Sequence, residues 1–182
     1  VAGTKIKVFS ASMGDVMDDE APEGQLERLY DQVNECPDLI FQFLTKRPHR
    51  YVYHLPLGGF KHKNVWLGTT CENQEFYDVR WPILHRVASA YGLVSWISYE
   101  PALGPISIDK RSDLPVPDWI IFGGETGPDD KRRPVDEVWA RTLKDECSRF
   151  GVRFFMKQLG ARTPTRAKEL ISVDMLIRQF PA

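Results

Sequence analysis

The sequence lacks the features that mark several common protein classes. Its 24 Lys and Arg residues nearly balance its 25 Asp and Glu residues, so the net charge is only −1. General nucleic-acid binders carry a clear basic excess, so nucleic acid as a partner has no support from the charge. No apolar run approaches the roughly 20 residues needed to cross a membrane, and no signal peptide is evident. We therefore predict no membrane association.

Cysteine and phosphate-binding glycine motifs are equally scarce. The three cysteines, Cys36, Cys71 and Cys147, lie far apart, and no C-x-x-C pair occurs. This pattern predicts neither a disulfide framework nor a self-contained metal site, and it favours a reducing, cytoplasmic location. The four histidines show no metal-binding spacing, and neither a G-x-G-x-x-G nor a G-x-x-x-x-G-K-[ST] motif is present.

What the chain does contain is a hydrophobic fraction of 42% arranged in short runs. Six runs have the length and the β-branched or aromatic content of strands. They begin 25 to 34 residues apart, close to the roughly 31 residues of one strand–helix unit in a (β/α) barrel. The predicted strands are Lys5–Ser10, Leu39–Thr45, Asn64–Thr70, Leu93–Tyr99, Trp119–Gly124 and Val152–Gln158.

Helical patterns lie between some of these strands. Gly24–Cys36 and Val135–Phe150 each place apolar residues on one helix face, and Gln74–Ala90 is a third candidate weakened by Pro82. The alternation predicts one α/β domain over residues 1–182. A doubly wound sheet and a barrel both fit six such units. We favour a partial TIM-type (β/α) barrel of six consecutive βα units, because no glycine-rich loop follows the first strand.

Polar residues follow every predicted strand. In a parallel barrel the carboxyl ends of the strands meet at one edge, so these residues are expected to converge there. A mixture of carboxylates and cations suits a zwitterionic or phosphorylated small molecule of unknown identity. The candidate binding residues, none of which has an assigned catalytic role, are Ser12, Asp15, Lys46, Arg47, Glu72, Asn73, Glu100, Glu125, Arg133, Lys157 and Gln158.

The six segments at the strand ends occur in the same order as the motifs of a known protein family. VFSASMGD, FLTKRP, LGTTCENQ, SYEPALGP, GGETGP and FFMKQLG together resemble the phage-associated three-Cys-motif family. That family is similar to radical-S-adenosylmethionine-type barrels. The resemblance runs from about Lys7 to about Gly160, and it implies an iron–sulfur phage or prophage protein that acts on an unknown substrate.

The resemblance also implies cofactors that this chain would not hold alone. Family members carry three cysteines upstream of these segments, which would bind a [4Fe–4S] cluster with one iron open to S-adenosylmethionine. This sequence begins at Val1, after the position of such a segment, so we expect it to be N-terminally incomplete. Both cofactors are expected in the intact protein, and neither is expected to be held by these residues alone.

Two other functions remain open at this point. A metal-dependent hydrolase would use Asp15, Glu100 and Glu125 to bind a hard divalent ion such as Mg²⁺ or Mn²⁺. A non-catalytic barrel would bind a small molecule or a partner protein. Because two strands of an eight-stranded design would be missing, the open edge of the barrel is a further candidate site for a partner.

Overall fold

The computed structural model describes residues 5–10, 14–109 and 113–182. Six strands form a single sheet, and every neighbouring pair is parallel. The strand order along the sheet is the order along the chain, and the sheet curls into a half-barrel. The strands are β1 (Ile6–Phe9), β2 (Leu39–Thr45), β3 (Val65–Thr70), β4 (Val94–Tyr99), β5 (Trp119–Gly123) and β6 (Arg153–Gln158).

The sheet confirms the predicted α/β class and the six predicted strands. Each observed strand begins and ends within one residue of its prediction. In a doubly wound sheet the order of the strands reverses near the middle of the sheet. Here each strand lies beside the next one in sequence. The sequential order therefore argues against the doubly wound alternative.

The helices connect the strands less regularly than six βα units would require. The α-helices are α1 (Gln25–Glu35), α2 (Tyr51–His54), α3 (Gln74–Tyr91), α4 (Glu137–Phe150) and α5 (Pro164–Glu169). The β2–β3 connection has only the four-residue α2 after a short 3-10 turn, and the described residues between β4 and β5 contain no α-helix. Four prolines in that last connection restrict φ and remove N–H donors, which disfavours a helix there. The four are Pro101, Pro105, Pro115 and Pro117.

Helix α3 continues through Pro82, which weakened its prediction. The Asn73 side chain accepts a hydrogen bond from the Phe76 N–H at its start, and Gly92 ends it with a φ of 60°. Trp81 and Leu84 on either side of the proline are fully buried, so packing stabilises the helix. Among the described residues, no helix is both long and apolar enough to cross a membrane.

The two faces of the sheet carry separate apolar clusters. One face packs against the helices and buries residues such as Phe43, Leu67 and Phe122. The opposite face, here called the inner face, holds a cluster of three tryptophans, Trp66, Trp96 and Trp119, all almost fully buried. Their burial makes these three side chains part of the core.

Residues 177–180 form a strap along β6 that the sequence did not predict. The Met156 N–H donates to the Ile177 carbonyl at 2.8 Å, and the Gln179 N–H donates to the Phe154 carbonyl at 3.1 Å. Beyond this antiparallel pairing, the Phe180 ring lies 5.2 Å from the Trp119 ring on the inner face. The strap therefore covers the outer edge of β6 and part of the inner face.

Candidate binding site at the carboxyl ends of the strands

The parallel sheet brings the predicted polar residues to one edge, which we call the rim. The rim consists of the segments that follow the carboxyl ends of β1 to β6. Its four predicted carboxylates are all paired with cations of the chain. The pairs are Asp15 with Arg47, Glu72 with Lys46, Glu100 with Lys157, and Glu125 with Arg133.

Asp15 organises the loops after β1 and β2. Its Oδ1 accepts a hydrogen bond from the Met17 N–H at 2.9 Å, and its Oδ2 accepts one from the Lys46 N–H at 2.9 Å. The Arg47 guanidinium lies 3.2 Å from the same Oδ2 and also approaches Asp18 at 3.6 Å. These contacts occupy Asp15 within the protein. The neighbouring candidate Ser12 lies outside the described residues.

Glu72 is a buried carboxylate held between two cations. Its side chain is only 7% exposed, with Oε1 at 2.8 Å from Lys46 Nζ and Oε2 at 2.8 Å from an Arg80 guanidinium nitrogen. Arg80 also donates to the Thr70 carbonyl at 2.7 Å. The adjacent Asn73 uses its amide oxygen to cap α3. The contacts of Glu72 and Asn73 are therefore with other residues of the protein, and both side chains have a structural role in the rim.

Glu100 and Lys157 form a partly exposed ion pair of the rim. Lys157 Nζ lies 2.6 Å from Glu100 Oε2, and the two side chains are 46% and 22% exposed. Gln158 donates to Glu100 Oε1 at 3.2 Å. A register shift between β5 and β6 pairs Gly123 with Gln158, so Lys157 is the extra residue of a β-bulge. Bulges of this kind often direct a side chain beside a functional site.

Gly123 makes room for the Glu100 carboxylate. A Cβ atom at Gly123 would lie 2.7 Å from Glu100 Cδ and 2.9 Å from Glu100 Cγ, closer than non-bonded carbons approach. Any side chain at this position would push Glu100 away from Lys157 and Gln158. The glycine therefore has a steric role in the site.

The fourth pair, Glu125 with Arg133, has bidentate geometry. Arg133 reaches the two carboxylate oxygens at 2.6 Å and 3.0 Å, and its backbone N–H donates to Oε2 at 2.8 Å. The hydrogen bonds from the Arg133 side chain and backbone lower the pKa of Glu125 from 4.5 to about 2. The same contacts raise the pKa of Arg133. This pair fixes the loop after β5.

A cavity of about 290 Å³ opens on the inner face beside Glu100 and Lys157. Below that pair its wall carries Gln42 and Ser98, and the rest is mostly aromatic. The lining residues are Phe9, Gln42, Trp96, Ser98, Glu100, Trp119, Ile121, Phe155, Lys157 and Phe180. A mainly apolar recess with a few converging polar groups is the usual form of a small-molecule site.

None of the three cysteines lines this cavity, and two of them are buried thiols. Cys71 and Cys147 are buried, and burial raises the pKa of both thiols, that of Cys147 to about 12. Within residues 5–10, 14–109 and 113–182, no group of three Cys, His, Asp or Glu residues is placed to hold a metal ion. Asp15, Glu100 and Glu125 are paired with three different cations, so no observation favours the hydrolase alternative.

Similarity to a known protein family extends over nearly the whole chain. A family model described as "Protein of unknown function (DUF5131)" matches residues 3–175. The chain belongs to the DUF5131 family. No curated protein and no solved structure matches it. Because the description of the family gives no activity, the resemblance to the three-Cys-motif family stays a prediction for this DUF5131 protein.

Three residues of the DUF5131 site escaped sequence reasoning. Arg80 lies on α3, two helical turns after Glu72, and only the phase of the helix brings it back to the carboxylate. Gln42 and Ser98 interrupt apolar runs within β2 and β4. Their polarity could have identified them in the sequence. Strands predicted to be buried on both faces rarely contain polar side chains, because burying a polar group without a hydrogen bond costs free energy.

Replacing Arg133 with Gln is expected to return the pKa of Glu125 from about 2 toward its ordinary value of 4.5. Since the folded-state pKa is lowered, the pair stabilises the protein fully above pH 4.5, and this contribution is lost as the pH falls toward 2. Carboxyl ¹³C NMR titration of wild type and variant measures the shift. Arg162→Gln, at an exposed position, is the control. An unchanged Glu125 titration in R133Q would contradict the assigned cause.

Proposed function

We propose that this DUF5131 chain is the ligand-binding part of a TIM-type barrel enzyme of the radical-S-adenosylmethionine type, and that its rim binds a small zwitterionic molecule. Six parallel strands in sequential order support the barrel, since six is most of the eight strands in such a barrel. The order of the six segments at the strand ends supports the enzyme class through the resemblance described above.

The observation that carries the proposal is the Glu100–Lys157 pair at the mouth of the inner-face cavity. A zwitterion matches such a pair, because its ammonium can donate to Glu100 while its carboxylate accepts from Lys157. The pair is partly solvated, so exchanging partners costs less than it would for the buried Glu72. The methionyl end of S-adenosylmethionine is a zwitterion of this kind.

The [4Fe–4S] cluster implied by the resemblance does not fit the described residues. Such a cluster needs several thiolates close together, whereas Cys71 and Cys147 are buried thiols with raised pKa values and Cys36 lies beyond the end of α1. The role proposed for these residues is therefore binding and orientation only. The cluster would require ligands other than these cysteines.

Isothermal titration calorimetry of the 182-residue protein with S-adenosylmethionine tests the proposed binding. We expect binding that weakens with added salt, and at least tenfold weaker binding in Lys157→Met, because one charge-assisted contact is lost. The matched control is Lys168→Met, at an exposed position on α5.

Gly123→Ala provides an independent check that keeps both charges. The added methyl group displaces Glu100, so we expect a loss of affinity similar to that of K157M. Gly58→Ala is the control, since a Cβ there meets nothing within 4 Å. Undetectable binding to wild type at about 1 mM ligand, or equal affinity in K157M and wild type, would overturn the proposed role of the rim.

A further inference from the structure

We propose that the rim binds the phosphoryl group of a phosphorylated small molecule, on the exposed N–H donors of Lys46 and Arg133. The inference goes beyond the proposed function, because the Glu100–Lys157 pair takes no part in it. It rests on three observations: the exposure of the cations, the local balance of charge, and the N–H donors that remain free.

The cation is the more exposed partner in each of the four rim pairs. The Lys46 side chain is 55% exposed above a Glu72 side chain that is 7% exposed, and Arg133 is 54% exposed against 26% for Glu125. A ligand that approaches this part of the rim from solvent therefore meets N–H donors before carboxylate oxygens. This holds although the whole chain has a net charge of −1.

Positive charge exceeds negative charge around Glu72. Lys46 and Arg80 each contact this carboxylate at 2.8 Å, and its charge also raises the pKa of Arg133. Glu125 is the second carboxylate of the group, and its pKa of about 2 keeps it ionised. Three cations against two carboxylates leave an excess of one positive charge. A phosphate monoester carries about −1.5 to −2 charges at pH 7, so it suits this excess.

Both exposed cations keep N–H donors for a ligand. Arg133 uses Nε and Nη2 on Glu125, and no hydrogen bond joins its Nη1 group to the described part of the chain. The Lys46 ammonium has three N–H groups, of which one is directed at Glu72 Oε1. A guanidinium binds two phosphate oxygens side by side, and an ammonium binds a third. A carboxylate offers only two oxygens, so the donors favour a phosphoryl group.

The carboxylates hold both cations in position before a ligand arrives. Glu72 is buried and fixed on its other side by Arg80 at 2.8 Å, and it holds Lys46. Glu125 holds Arg133 through two side-chain hydrogen bonds and through the Arg133 backbone N–H at 2.8 Å. Side chains that are already ordered lose less conformational entropy when they bind a ligand.

The charge on the neighbouring side of the rim limits the ligand to a small molecule. In the loops after β1 and β2, the three carboxylates of Asp15, Asp18 and Asp19 contact only two guanidinium groups, those of Arg47 and Arg50. A nucleic acid that crossed the rim would lie over this acidic excess and be repelled. A single phosphoryl group near Glu72 avoids it.

Titration of the 182-residue protein with inorganic phosphate, followed by ³¹P NMR at constant ionic strength, tests the inference. We expect a Kd of about 1 mM or lower, and at least tenfold weaker binding in Arg133→Gln and in Lys46→Met, because each variant loses a charge-assisted contact. The matched controls are Arg153→Gln and Lys61→Met, two exposed positions at the opposite, amino-terminal ends of β6 and β3.

Arg133→Lys separates the guanidinium fork from its charge. We expect this variant to bind phosphate more tightly than R133Q but at least threefold more weakly than wild type, since the charge stays and the paired donors are lost. If K46M lowers the melting temperature by more than about 5 °C, the two Arg133 variants decide the question, because Arg133 is exposed.

Phenyl phosphate and a short single-stranded oligonucleotide without a terminal phosphate distinguish the two sources of a phosphoryl group. We expect the monoester to bind at least as tightly as inorganic phosphate and the oligonucleotide to bind more weakly. Tighter binding of the oligonucleotide would overturn the small-molecule ligand. No phosphate binding at about 10 mM, or an equal loss of affinity in R133Q and R153Q, would overturn the site.

The outcomes also separate this inference from the proposed function. If S-adenosylmethionine binding depends on Lys157 and no phosphate binds, the phosphoryl site is wrong and the proposed function stands. If phosphate binding depends on Arg133 while K157M and wild type bind S-adenosylmethionine equally, the phosphoryl site stands and the proposed function is wrong.

Discussion

Replacing Arg80 with Met is expected to lower the free energy of unfolding by about 3 kcal/mol, near the lower end of the cost of breaking a buried ion pair. Arg80 holds Glu72 Oε2 at 2.8 Å and the Thr70 carbonyl at 2.7 Å. Without it, Lys46 is the one cation among the described residues that still contacts the Glu72 carboxylate, and the Lys46 side chain is 55% exposed. For a chain of this length the expected fall in melting temperature is about 6–12 °C, measured by thermal unfolding.

Two further variants isolate the cause of that loss. Arg86→Met removes an exposed arginine from the same helix and should change stability by less than about 0.5 kcal/mol. Adding Glu72→Gln to R80M removes the unpaired charge and should recover at least about 1 kcal/mol. If R80M and R86M were equally stable, Glu72 would not depend on Arg80.

Replacing Gly68 with Ala is expected to cost about 2–4 kcal/mol, toward or beyond the upper end of the usual range for overpacking a core. The added Cβ would lie 2.3 Å from Trp96 Cε2 and 2.6 Å from Trp96 Nε1. The indole cannot easily move aside, since Trp119 packs on it and its Nε1 donates to the Trp66 carbonyl at 3.3 Å. Denaturant unfolding monitored by far-ultraviolet circular dichroism measures the loss.

A double-mutant cycle assigns this cost to the indole. In a Trp96→Leu background the clashing ring is absent, so Gly68→Ala should cost less than about 1 kcal/mol. Gly58→Ala again provides the control in open space. A cost that persists in the W96L background would place the strain elsewhere, in the backbone of β3.

The strands were predictable because their signal is local. Buried parallel strands are short apolar runs, and all six runs lie in the observed sheet. The convergence of polar residues on the rim followed from the parallel arrangement alone. Helix α3 was harder to predict, because the cost of Pro82 is visible in the sequence whereas the burial of Trp81 and Leu84 is not.

The pairing within the rim depends on contacts that no local pattern encodes. Glu100 meets Lys157 across 57 positions of sequence, and the geometry depends on the bulge in β6 and on the space at Gly123. A glycine inside a predicted strand does signal close approach of a neighbour, so Gly68 and Gly123 were readable as positions of tight packing. Only the three-dimensional structure shows which side chain approaches each of these glycines.

The strap at residues 177–180 gives the two edges of the sheet different roles. The backbone groups of β6 that face outward are already paired with the strap. Along β1, by contrast, no other strand within the described ranges lies on the outer side. Unpaired edges are where further strands add to a sheet. This sheet can therefore be extended in one direction only, beyond β1, and a strand added there would lie at the opposite end of the sheet from the Lys157 bulge.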